Sequence, residues 1–408
     1  MKRKNMILTM LVILGVVTFL DRINISVAGK SIMEDLNLNE SQWGWVLSIF
    51  ILSYGVMQIP IGAMGDRFGH RRILSLIVLW WSIFTALTGL AGGLASMLVI
   101  RFMFGIGEAG SSPCSTGVIS RWFEKGEVGK AQGYVWAASR LGGALTPFVV
   151  IPVMMWVGWR AAFYLLGALG VVWAAVWYWY YRDKSVAAED KPAAEEMAAA
   201  ASQNGGKGVW GSIFRSGQFW ILCSMYFFYA FGSWFFFSWF PTFMELGRGF
   251  AKSELTYAVA VPFVMSMAGN IAGGYLTDKL TLKYGLKVGR KALGTSSLAV
   301  SAVCMFLAAF IPGKTAVFVF LSLCFGIFDL MLPSAWALCI DLGKQHAGTV
   351  SGAMNTAGNI GGFCCGILFG QLVQQSGNYN LPLYMIAGML IVSAVLFAFI
   401  NPTKPIVK

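Results

Sequence analysis

GKAQGYVWAASRLGG (129–143) is echoed 219 residues later by GTVSGAMNTAGNIGG (348–362). Gly129, Gly133, Gly142 and Gly143 fall on Gly348, Gly352, Gly361 and Gly362 without a gap, and Arg140 falls on Asn359. Upstream, FGIGE (104–108) matches FGIFD (325–329), which sets Glu108 against Asp329. Further upstream, Gly62-x-x-x-Asp66-Arg67 matches Gly274-x-x-x-Asp278-Lys279. One such match is weak, because glycine is common in membrane helices. Three in the same order point to a chain built from two parallel repeats.

Composition says what the repeats are made of. The 408 residues are 57% hydrophobic and only 12% charged, where a soluble domain carries about 25% charge. Mean hydropathy is +0.68. Apolar runs of about 20 residues, the length that crosses a bilayer, recur throughout. The expected fold is an all-α membrane protein with 12 transmembrane helices in two pseudo-symmetric six-helix bundles. The spans fall near 6–29, 43–64, 73–92, 96–120, 130–157, 159–181, 217–243, 254–277, 291–311, 315–340, 348–374 and 381–400. Residues 1–182 form the first bundle, 183–212 a charged, Ala-rich linker without an apolar face, and 213–408 the second bundle. Lys2-Arg3-Lys4 before an apolar run resembles a signal peptide. The run continues past Asp21-Arg22 and many spans follow, so a retained first helix is expected.

Lysine and arginine set the orientation. They crowd the termini, the linker and the loops at 65–72, 121–130 and 279–291, while the alternate loops hold only Lys30, Arg160, Arg248, Lys252 and Lys314. Positive loops stay in the cytoplasm, so both termini are expected there, in a multi-pass protein of the cell inner membrane. The net charge of +12 is mostly this bias, with anionic lipid as neighbour and no nucleic-acid partner required. The seven cysteines lie in apolar spans without metal-site spacing and read as packing residues.

Six ionisable residues lie inside spans: Asp21, Arg22, Arg101, Glu108, Arg140 and Asp329. Unpaired, each costs several kcal/mol at the bilayer centre, so each should face a cavity or a partner. At 1.5 Å per residue, most of them cluster at mid-depth or slightly beyond it. Arginine keeps its charge and its planar fork matches a carboxylate, so three intramembrane arginines point to an anionic ligand. Carboxylates can be neutralised, and a neighbouring arginine opposes that. Arg101 and Glu108 are seven residues apart and face the same way on a helix. They are expected to form a proton switch, or alternatively a fixed structural pair. Asp21 and Arg22 point about 100° apart, one toward the cavity and one toward a neighbouring helix. Asp329 is open between packing and transport. Tyr54, mid-span, is open between packing and donation to a hydroxylated substrate.

Gly62-x-x-Gly65-Asp66-Arg67-Phe68-Gly69-His70-Arg71-Arg72 resembles the loop signature of the major facilitator superfamily. Finer motifs resemble its anion:cation symporter branch, which includes bacterial hexuronate, galactonate and glucarate transporters. These are Asp21-Arg22, Tyr54-x-x-x-Gln58-x-Pro60, Arg101 through Glu108 to Pro113, Trp239-Phe240-Pro241-Thr242, and Asn355-x-x-Gly358-Asn359-x-Gly361-Gly362. The resemblance implies a proton-coupled symporter importing an organic anion, expected to be a sugar acid (hexuronate, aldonate or aldarate), by alternating access. It implies substrate binding by Arg22, Tyr54 and Asn355, proton coupling by Asp21, Glu108 and Arg101, and gating by Asp66, Arg67 and Arg71. Arg140 and Asn359 join the substrate-binding candidates; an arginine at 140 is not general in the branch and points to a second anionic group on the substrate or to a different counter-charge for Glu108. Trp122-Phe123-Glu124 replaces a usual Trp-Phe-Pro, and Val128 stands where a basic residue is expected.

The alternative is a proton-coupled exporter of drugs or metabolites with the same fold. Gly142-Gly143-x-x-x-Pro147 loosely resembles an exporter motif, but the arginines disfavour cationic drugs. An enzyme is not expected: His70 and His346 lie in loops, and no nucleophile–base pair or metal constellation is present. The expected partners are a small organic anion and membrane lipid, with a monomer as the working unit and no cofactor other than the proton as coupling ion.

Overall fold

The computed structural model describes residues 2–123, 125–183, 213–343, 347–404 and 406. The linker expected at 183–212 therefore lies outside the described residues except for Asp183, as does His346. The first half comprises α1 (Lys2–Val27), α2 (Gly29–Asp35), α3 (Glu40–Phe68), α4 (His70–Thr88), α5 (Leu94–Glu108), α6 (Ser111–Trp122), α7 (Lys125–Val157) and α8 (Trp159–Tyr180). The second comprises α9 (Gly217–Ser238), α10 (Lys252–Phe310), α11 (Lys314–Phe328), α12 (Leu332–Gly343), α13 (Ala347–Ser376) and α14 (Leu381–Phe399). Among the described residues eleven helices or helix pairs are long and apolar enough to span a membrane. The expected spans 254–277 and 291–311 are joined in α10, 59 residues with Gly285 at φ +82 between them. That conformation suits glycine and interrupts the helical path. The apolar runs thus locate the spans, and the turn between two of them is tighter than a loop.

Local chemistry explains the other boundaries. Asn39 and Gln42 form a capping box that opens α3, with bonds of 2.8 and 3.0 Å. At the other end Gly69 turns at φ +89 into α4. The Asp183 carboxylate accepts the His70 and Arg71 backbone N–H groups there, at 3.0 and 3.3 Å. His70, expected in a loop, is the buried first residue of α4 and packs against Gly65 and Gly117. The fourth and tenth spans each break in the middle. Pro113 cannot donate to the Ala109 carbonyl, nor Pro333 to that of Asp329. The breaks fall between α5 and α6 and in a 3-10 turn at Asp329–Met331. Glu108 and Asp329, matched by the internal repeat, both sit at these breaks.

Within the first half α1 packs on α7 and α4 on α8; within the second, α9 packs on α13 and α10 on α14. The halves meet where α3 lies on α13 and α7 on α10. Their close approaches gather away from the face that carries the N-terminus. Ser26 Oγ donates to the Phe237 carbonyl at 2.8 Å, and Ser48 Oγ to that of Phe363 at 3.0 Å. Lys30 lies 3.7 Å from Glu245, and Tyr379 donates to Glu40 at 3.4 Å. A Cβ at Gly44 would stand 2.5 Å from the Gly366 carbonyl oxygen, so that crossing requires glycine. Burial raises the Glu245 carboxyl above its ordinary value, although Lys30 and Lys252 pull it down.

Candidate functional site

Arg22, near mid-depth on α1, reaches across to the break in the fourth span. Its Nε donates to Glu108 Oε1 at 2.7 Å, and its Nη2 contacts the same oxygen. This is the partner that sequence spacing assigned to Arg101. Arg101 has no carboxylate within 4 Å among the described residues; its guanidinium lies between the Phe50 and Phe104 rings, at 4.8 and 4.6 Å. The physical reason is rise. Seven residues along a helix separate two side chains by about 10 Å, whereas paired side chains stand three or four residues apart. Arg101 thus makes no ion pair with Glu108 among the described residues.

Asp21 turns away from Arg22 and accepts Trp81 Nε1 of α4 at 3.1 Å. Asp21, Arg101 and Glu108 are all nearly or wholly buried, at 2%, 2% and 0% exposure. Asp21 Oδ1, both polar atoms of Asn24, Arg101 Nε and Glu108 Oε2 have no hydrogen-bond partner among the described residues. Native interiors satisfy almost all such atoms. A group of them beside one ion pair is a place that bound water or a ligand can satisfy.

A cavity runs from Arg22 toward the face that carries the N-terminus. Thr18, Phe19 and Arg22 of α1, Tyr54 of α3, Ser111, Ser112 and Ser115 of α6, and Gln132, Trp136 and Ser139 of α7 line it. Arg22 sits at its end, 4.8 Å from the Tyr54 ring and 5.0 Å from that of Phe19. The wall is rich in hydroxyl and amide groups with one fork-shaped cation, a set that suits a hydroxylated carboxylate.

Other candidates lie around this core. Asn359 is buried, packs on Gly55 one residue from Tyr54, and leaves its Nδ2 without an acceptor among the described residues. Asn355 is spent on an inter-half contact, donating to Gln58 Oε1 at 2.9 Å. Arg140 meets the second half: its Nη2 lies 2.9 Å from Asp329 Oδ2, with the Phe237 ring 5.2 Å away. Asp329 also accepts the Tyr229 hydroxyl at 3.0 Å and that of Ser266.

The gating candidates sit apart from the cavity. Arg71 Nε donates to the Tyr178 carbonyl at 2.8 Å, and its guanidinium lies 4.4 Å from that ring. Arg67 is exposed over Phe68. The Asp66 side chain lies outside the described residues. Sequence reading missed Trp81, Gln58, Tyr229 and Ser266 as partners. Only their polarity inside apolar spans marks them, and Trp81 carries not even that.

Comparison with known proteins agrees with this architecture. The Major Facilitator Superfamily model matches residues 11–365. The chain is 34% identical to the probable sulfoacetate transporter SauU of Cupriavidus necator, over 98% of this chain and 94% of that protein. It is 28% identical to the hexuronate transporter of Bacillus subtilis, over 100% and 96%. Among solved structures, a bacterial homolog of the human lysosomal transporter Spinster, inward-facing and occupied, superposes with a TM-score of 0.81. At 20% identity over 97% of this chain and 96% of that one, this likeness concerns the fold. The chain is a multi-pass membrane protein of the major facilitator superfamily, a transporter rather than an enzyme, and its relatives are those of the anion-carrying branch its motifs resemble.

Proposed function

We propose that the protein imports an organic anion of the sugar-acid class together with protons, working as a monomer by alternating access. The observation that carries this reading is the bond between Arg22, at the end of a hydroxyl-lined cavity, and Glu108, whose second oxygen has no partner. An incoming carboxylate competes for Arg22. Glu108, once released, is a buried carboxylate without its counter-charge, and taking a proton removes that cost. Substrate binding and protonation thereby favour each other. Arg101 sets a fixed positive charge near Glu108, and Asp21, held by Trp81, is a second position for the proton. Tyr54, Asn359 and the α6 serines serve the hydroxyl groups of the substrate, while Asn355 and Gln58 join the halves beside them.

Acids named for the curated relatives, sulfoacetate and hexuronate among them, support the anionic class. The lysine and arginine bias supports a cytoplasmic N-terminus in the inner membrane, so the cavity opens inward. Closure on the opposite face, through Ser26, Lys30, Ser48 and Gly44, is what an inward-open state requires. The exporter reading lacks a feature of its own here, because a cavity ending in a guanidinium repels cations.

The test is proton uptake into proteoliposomes of the purified chain, read by an internal pH dye, with aldonates, hexuronates, aldarates and sulfoacetate. Acidification by one class, abolished in Arg22→Ala, is expected. Silence across the panel together with binding of lipophilic cations overturns the reading.

A further inference from the structure

Arg140 is the one mid-membrane arginine that the exchange above does not use. It stands one turn beyond Trp136, a lining residue, and beside Ser139, another. Its side chain is 13% exposed, and its Nη2 holds Asp329 of the opposite half at 2.9 Å. Its Nη1 is buried without a partner among the described residues. A chain of rings links it to Arg22: Arg22 lies on Phe19, Phe19 meets Phe237 at 5.9 Å, and Arg140 lies on Phe237. Two guanidinium groups thus flank one aromatic pair, Phe19 of the first half and Phe237 of the second.

Asp329 does not depend on Arg140 alone. Tyr229 donates to its Oδ1 and Ser266 to its Oδ2, so both oxygens stay satisfied if the arginine leaves. Glu108 lacks such support. An ion pair whose acid has its own donors, and whose cation has a spare one, leaves the acid hydrogen-bonded when the cation takes another partner.

We propose, resting on the symport reading, that Arg140 is a second anion subsite and that the preferred substrate is a dianion. One acid group takes Arg22 and the other takes Arg140. In the empty protein Asp329 occupies Arg140 in place of that second acid group.

Isothermal titration of the purified full chain at neutral pH tests this with matched acids: glucarate against gluconate, and sulfoacetate against acetate. In the wild-type protein the dianion of at least one pair binds roughly ten- to hundredfold more tightly, the value of about one charge-assisted hydrogen bond. Arg140→Gln brings that ratio to about one. Asp329→Asn, which keeps Arg140 and removes its internal competitor, raises the ratio several-fold and serves also if Arg140→Gln does not fold. A wild-type ratio near one, a ratio unchanged in Arg140→Gln, or a ratio lowered in Asp329→Asn overturns the proposal. If acids bind through Arg22 without regard to their second group, only this inference falls. If none binds in an Arg22-dependent way, the symport reading falls with it.

Discussion

Glu108 and Asp329 occupy matching positions in the two repeats, each at the proline-induced break of a long span, and each holds an arginine. Their surroundings differ. Glu108 takes its arginine from its own half, uses one oxygen, and leaves the other without a donor. Asp329 takes its arginine from the opposite half and has hydroxyl donors on both oxygens. A carboxylate that keeps an idle buried oxygen forgoes hydrogen bonds that one with three donors makes. The repeat thus places two carboxylates at equivalent positions and surrounds them differently, one with an oxygen left over and one with both oxygens met.

The sharpest way to break this comparison is Arg22→Ala. It removes the carboxylate-binding fork and leaves Glu108 as a buried acid without a counter-charge, a loss of about 3–5 kcal/mol if it stays ionised. Substrate affinity should fall by more than about a hundredfold by titration. Tyr229→Phe sharpens the contrast by stripping Asp329 Oδ1 of its donor while keeping the ring stacked on Phe328 at 4.5 Å. Thermal unfolding should report a loss of about 1–3 kcal/mol. An unchanged melting temperature would show that the hydroxyl does not support the acid. The set Asp21, Glu108 and Asp329 against Arg22, Arg101 and Arg140 is formally neutral when empty. Keeping it neutral takes one proton per monoanion and two per dianion, which reversal-potential measurements in proteoliposomes count directly.

The smallest effect belongs to the closed face. Glu245 titrates above its ordinary value because it is buried, so on acidification it loses its charge, and its hold on Lys30, earlier than an ordinary glutamate would. Its folded form keeps the proton at pH values where the unfolded chain has lost it, so its contribution to stability falls as pH rises through that window. Lys30 is a third exposed, and solvent screens the pair. Labelling of Ser31→Cys, normalised at each pH to the thiolate fraction of a free cysteine, should therefore rise only a few-fold on acidification, and Glu245→Gln should remove that remaining pH dependence.

Sequence reading captured what is periodic or repeated. Apolar runs located the spans, and the match of FGIGE with FGIFD put Glu108 and Asp329 in equivalent places before any coordinates. It missed what depends on which helices become neighbours. Arg101 looked like the partner of Glu108 because they share a helix face, yet the shorter path runs from Arg22 on another helix. Trp81 looks like any other membrane tryptophan until α4 packs beside α1 and its ring N–H meets Asp21. Tyr229, Ser266 and Asp329 are far apart in the chain, and no local pattern joins them.

In the proposed cycle the substrate takes Arg22 while a proton takes Glu108. Glu108→Gln in proteoliposomes tests it, with the labelled acid that acidifies wild-type vesicles assayed in two modes. The account predicts that substrate–substrate counterflow survives within a few-fold while accumulation driven by a proton gradient is lost. Proton-driven accumulation equal to wild type in Glu108→Gln would contradict it.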